Sequence, residues 1–204
     1  MSKATLQRRP VVKQILEGAD DNLLVIGGLG SSNWDITDAG DRPLNMPLWG
    51  AMGAPLGMGL GLALAQPSKR VLVVTGDADV MMSLGSLATI AAQQPDNLAI
   101  CVLDNEKFGE TGNQASHTSP RNKGPTNSGA GTDLAMIAQG CGIADSGTVC
   151  TESEVAGLVN DLRKKKGPVF RLVKVMVEKL EFVMPPQDGA HLKDRFRRAL
   201  LGHP

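Results

Sequence analysis

Two residues set the chemical question: Asp77, in the run GDAD that starts at Gly76, and Asn105, in the run LDNEKFGETGNQ that spans residues 103–114. They stand 28 positions apart, and each lies just beyond a short apolar run. A carboxylate and an amide oxygen so placed are donors for a hard cation. Magnesium suits them, because it takes oxygen ligands and usually binds through few protein carboxylates together with phosphates. The same letters also suit a turn and a helix cap, and the pair alone leaves both readings open. His117 is a candidate proton donor or anion-binding group, while Arg121 and Lys123 carry positive charge that suits an anionic group. Each of these three also reads as a solvated loop residue. Cys101, Cys141 and Cys150 lack zinc-ligand spacing and read as packing residues.

The elements around the pair explain how it is positioned. Residues 71–74 and 98–103 are β-branched and apolar enough for strands buried on both faces. Between them, residues 83–94 place Leu84, Leu87, Ile90 and Ala91 on one helical stripe that Pro95 and Asp96 stop. This is a βαβ unit, and a right-handed crossover makes its strands parallel, with both carboxyl ends facing one crevice.

The remaining chain reads as a helix ending near Gly18, a strand at 22–26 and a long connection at 31–47 in which Trp34 is an anchor or a cover for a partner. A Gly-rich apolar helix over 50–61, extended to 65, is expected to pack unusually near another backbone. Residues 106–131 read as a functional loop or partly helical lid. Thr132 or Asp133 caps a helix through Gln139, and residues 143–149 form an edge unit. Thr151 and Glu154 form a capping box for a helix ending in Lys164, Lys165 and Lys166, whose charge suits a helix C-terminus. A last strand falls at 168–175, and a basic helix at 194–201. The expected division is one α/β domain, residues 1–180, with a C-terminal arm over 181–204.

Composition narrows the function classes. The 204 residues carry 21 Lys plus Arg against 21 Asp plus Glu, so the formal charge of zero argues against a nucleic-acid-binding surface. Three cysteines argue against a disulfide framework and fit a reducing compartment. The start MSKATLQRRP lacks a signal-peptide core, and the Gly-rich apolar run is too short for a membrane span, so the expected location is cytoplasmic.

GAMG at Gly50, GLGLALA, GDADVMMSLGSL and LDNEKFGETGNQ, in that order, resemble the diphosphate-binding domain of the thiamine-diphosphate enzymes. Within that superfamily the chain is similar to the β subunits of sulfopyruvate decarboxylases and their phosphonopyruvate decarboxylase relatives. The resemblance spans residues 11–177. It implies a three-layer α/β/α fold with a mainly parallel sheet, the thiamine-diphosphate-binding fold.

For the site, the resemblance implies that Asp77 and Asn105 bind Mg2+ by their side chains and Lys107 by its carbonyl. Gly76, Ala78 and Asp79 would line the diphosphate through backbone. Ala78 stands where the family usually has Gly, which is harmless at negative φ and crowded at positive φ. The Asp79 carboxylate must turn from phosphate or find a donor. Gly50 would receive the cofactor's aminopyrimidine at its carbonyl, and Met52 would wedge between the two rings. Lys107, Phe108, Gly109 and Glu110 would form a flap beside diphosphate or substrate, with Thr111 and Gly112. The implied activity is decarboxylation of a small anionic 2-keto acid, sulfopyruvate first. The implied partner is an α subunit with a pyrimidine-binding domain that supplies the activating Glu, in a hetero-oligomer containing dimeric active-site units. Carboligation of the acetolactate synthase type, or a role as a noncatalytic cofactor-binding regulatory subunit, are the alternatives.

Overall fold

A computed structural model of the chain describes residues 4–120 and 131–203. Its centre is a six-stranded sheet in which every pairing is parallel. The strands are β1 (Leu23–Gly27), β2 (Asn45–Pro47), β3 (Arg70–Gly76), β4 (Leu98–Asp104), β7 (Asp145–Val149) and β8 (Val169–Lys174), in the order β2-β1-β3-β4-β8-β7. A small antiparallel hairpin of β5 (Lys107–Phe108) and β6 (Gln114–Ala115) stands apart, with a 3-10 turn at Gly109–Thr111 between its strands.

Strand periodicity makes the three layers. Along β3, Val71 and Val73 enter one buried cluster while Leu72 and Val74 enter the other. Along β4, Leu98, Ile100 and Val102 alternate in the same way with Ala99, Cys101 and Leu103. Successive side chains point to opposite faces of a strand, so an uninterrupted apolar run requires cover on both sides. One face is covered by α3 (Pro55–Ala65), α5 (Gly85–Gln93), α6 (Leu134–Gly140) and α8 (Gly189–Leu201). The other is covered by α1 (Arg8–Leu16), α2 (Ser31–Ala39) and α7 (Glu152–Lys164).

The α3 helix approaches β3 closely because Gly59 has no side chain: a Cβ there would stand 2.3 Å from Val73 Cγ2. This is the close packing that the Gly-rich run leads one to expect. The helix begins at Pro55, however, and residues 50–54 form the bend before it, since proline suits a first helical turn. Thr151 and Glu154 form the expected capping box of α7, and Asp133 caps α6 by accepting from Met136 N at 3.0 Å.

The expected long connection at 31–47 is mostly structured, holding α2 and β2. A second short helix, α4 (Asp77–Met81), starts at the end of β3 before the chain enters α5. The C-terminal helix is longer than its basic stretch and is capped by Asp188. Between β8 and α8, residues 176–188 run as an extended strap. Arg9 donates to Glu181 O at 2.8 Å, the rings of Trp34 and Phe182 lie 4.3 Å apart, and Trp49 Nε1 donates to Pro186 O at 3.2 Å.

Candidate active site

The carboxyl ends of β1, β3 and β4 open into a cavity of about 1070 Å3, walled on its far side by the strap. Asp77 is the first residue of α4 and only 2% exposed. Ser116 Oγ and Thr118 Oγ1 both donate to its Oδ2, at 2.5 and 2.9 Å. The Thr118 hydroxyl also lies 2.8 Å from Asp104 Oδ1, so its one proton is shared between the two carboxylates and links the ends of β3 and β4. Burial, and next the neighbouring Asp104 carboxylate, push the Asp77 carboxyl up to about 6, against the hydroxyl donors that pull it down.

Asn105 lies one residue beyond β4, where its Oδ1 accepts from Lys107 N at 2.9 Å. That Asx turn carries the chain into the β5–β6 hairpin. Lys107, Phe108, Gly109 and Glu110 all line the cavity, as do Met52, Gly76, Ala78 and Asp79. Gly50 lies in the exposed bend before α3 and is not part of the wall. His117 is exposed, edge-on to Phe108 with centroids 5.9 Å apart, and is also outside the wall. Arg121 and Lys123 lie outside the described residues.

The questions raised at Ala78 and Asp79 both find a physical answer. Ala78 sits inside α4 and is not among the positive-φ residues, so its methyl meets no backbone penalty. The Asp79 carboxylate accepts from Gly53 N and from Thr75 Oγ1, which engages it between β3 and the bend before α3. Gly28 permits this, because a Cβ there would lie 2.1 Å from Thr75 Oγ1 and 2.4 Å from Asp79 Oδ2.

Several wall residues carry no warning in the sequence pattern. Ser31 and Ser32 open α2 beside the cavity, and residues 177–182 of the strap close it. Ser116 and Thr118 reach Asp77 across 39 and 41 positions. Among the described residues no group of three or more His, Cys, Asp and Glu is arranged to hold a metal. The expected ligand set does not need one, resting on a carboxylate, an amide and a backbone carbonyl. Nor is any helix among them long and apolar enough to cross a membrane.

A parallel sheet that gathers acids, an amide and a hairpin around one cavity at its carboxyl edge defines an α/β cofactor-binding domain. The family described as thiamine pyrophosphate enzyme, C-terminal TPP binding domain, matches residues 29–172. The β subunit of sulfopyruvate decarboxylase from Methanocaldococcus jannaschii is 35% identical over 147 residues, covering 72% of this chain and 71% of that protein. The β subunit from Methanothermobacter thermautotrophicus is 30% identical over 202 residues, covering 97% of each. Phosphonopyruvate decarboxylase from Streptomyces viridochromogenes is 35% identical over 141 residues, covering 69% of this chain and 32% of that protein. A solved Mycobacterium smegmatis chain described as thiamin diphosphate-dependent shares the fold, with TM-score 0.67 and 18% identity over 85% of this chain and 32% of its own length. The chain belongs to the thiamine pyrophosphate enzymes as their TPP-binding domain, in the family of the sulfopyruvate and phosphonopyruvate decarboxylases.

Proposed function

We propose that the chain is the diphosphate-binding β subunit of a thiamine-diphosphate-dependent decarboxylase acting on a small anionic 2-keto acid, with sulfopyruvate the first candidate. The observation that carries this reading is the convergence of Asp77, Asn105, Met52 and the β5–β6 hairpin on one cavity. The proposed partner is an α subunit that supplies the activating Glu. Support comes from the relatives that match this chain along most of their length, which are named β subunits.

The residues present fit magnesium and a diphosphate. Asp77 is a buried carboxylate whose charge burial disfavours, which a divalent cation would offset, and its donor oxygens are of the hard type magnesium prefers. Asp77 and Asn105 would hold the ion by side chains and Lys107 by its carbonyl. Gly76 and Ala78 leave backbone open to phosphate oxygens, while Asp79 keeps its charge engaged with Gly53 N and Thr75. Thiamine diphosphate, when bound, supplies the nucleophilic carbon and the electron sink for loss of carbon dioxide. Met52 would shape the cofactor from one side, and Gly50 would offer its carbonyl to the aminopyrimidine. The hairpin would cover the reacting end and limit water, and His117 beside Phe108 would serve it as a proton donor or anion contact.

The test is to purify the chain with and without a candidate pyrimidine-domain subunit and measure carbon dioxide released from a panel of 2-keto acids. Activity is expected only with both subunits, Mg2+ and thiamine diphosphate, fastest on a keto acid with a second anionic group. No thiamine-dependent turnover with any partner would sink the reading. A hydroxyketone formed with an added aldehyde would mark carboligation instead.

A further inference from the structure

Asn105 is flanked by two acids, and one lysine holds both. Lys174, the last residue of β8, places Nζ 2.8 Å from Asp104 Oδ2 and 2.7 Å from Glu106 Oε1. Its side chain is 17% exposed, Asp104 is fully buried, and Glu106 is 30% exposed. Glu106 adopts φ +60°, a left-handed conformation that a non-glycine residue adopts at a cost and keeps only when its surroundings impose it. That conformation turns the chain so that Asn105 Oδ1 receives Lys107 N. The remaining oxygen of Asp104 accepts from Thr118 and from Glu106 N at 3.0 Å, and Thr118 continues to Asp77. A single ammonium is thus linked to both residues assigned as side-chain ligands, although it touches neither.

We infer that Lys174 is the positioning residue of the metal and diphosphate site, fixing Asn105 by clamping the residues on either side of it and fixing Asp77 through Asp104 and Thr118. This rests on the reading of Asp77 and Asn105 as magnesium ligands. Charge alone works in the other direction. An ammonium near a cation site repels the cation, so removing it without disturbing geometry would lower the Mg2+ concentration needed. A rise in that concentration therefore reports lost positioning.

The test uses the full chain and titrates Mg2+ at fixed thiamine diphosphate, following heat of binding and tryptophan emission, with a thermal melt of each variant as the folding control. Lys174→Met is expected to raise the Mg2+ midpoint by about tenfold or more, the scale on which groups behind metal ligands act. Lys174→Arg, which keeps the charge and can donate to both carboxylates, should recover most of the loss. Glu106→Gln removes one arm together with a negative charge, and both effects should raise the midpoint, by about two- to fivefold. Should Lys174→Met fail to fold, Lys174→Gln, which removes the same charge and keeps a polar head, takes its place in the same titration. A wild-type chain that binds, with the Mg2+ midpoint unchanged or lowered once the Lys174 charge is removed, overturns the inference and leaves the cofactor reading standing. A wild-type chain that binds no cofactor at any Mg2+ concentration, alone or with its partner subunit, overturns both.

Discussion

Two ionic clusters share strand β8 and differ in their charge balance. At the sheet edge, Arg171 Nη2 lies 2.5 Å from Asp161 and 2.7 Å from Asp145, and Lys165 lies 2.8 Å from Asp145. Two carboxylates meet two cations, and although burial works against it, Asp145 is held below the usual carboxylate range by its bonds to Lys165 and Arg171. At the carboxyl edge, Asp104 and Glu106 share one ammonium, that of Lys174, while Asp77 meets only hydroxyl donors among the described side chains. Its carboxyl is displaced in the opposite direction, to about 6. The first cluster is complete within the chain and ties β7, β8 and α7 together. Among the described residues the second is short of positive charge and borders a cavity, the arrangement expected where a cation from outside completes the site.

Substitutions can break that contrast or sharpen it. The largest effect is expected from Asp77→Ala, which should weaken Mg2+-dependent cofactor binding by more than about 100-fold in calorimetric titration, exceeding the loss typical of groups behind a metal ligand. Arg171→Met should do the reverse, costing about 2 kcal/mol in denaturant unfolding because it strips a buried cation from two acids, with cofactor affinity unmoved. If Arg171→Met instead impaired cofactor binding, the two clusters would not be separate in function.

Asp77→Asn removes the buried charge while keeping the shape. The cofactor-free variant should therefore melt no lower than wild type, even as Mg2+-dependent binding is lost. Thr118→Val cuts the link between Asp77 and Asp104 and should weaken binding by about three- to tenfold. The smallest effect is the acid response of the edge cluster. Because the Asp145 pKa is lowered from 3.8 in the folded chain, its stabilisation is present above that value and is lost as pH falls through the lowered one. Unfolding measured at descending pH should show this loss in wild type and not in Asp145→Asn.

The βαβ unit and the places of Asp77 and Asn105 were legible because apolar runs end abruptly at polar residues, and parallel strands bring such ends together. The α2 helix escaped because three of its buried positions are Ser32, Asn33 and Asp35, which break the apolar stripe. Asp35 is buried through ion pairs with Arg8 and Arg9, partners that sequence distance conceals. The β2 strand is three residues long, too short for alternation to register. The hydroxyls on Asp77 and the strap over the cavity are long-range contacts, and local pattern carries no trace of them. Lys174 reads as an ordinary strand end until its two acids are seen.

The strap has a further effect at the other side of the sheet. It delivers α8 to β2, a strand bonded to β1 alone, where Phe196 joins the core and Arg195 pairs with Asp41 at 2.8 Å and donates to Asn45 O at 3.4 Å. An open strand edge is a template for pairing with other molecules, and proteins guard it with short strands, charge or a covering helix. All three guards meet at β2, so the C-terminal helix works against aggregation, well away from the cavity.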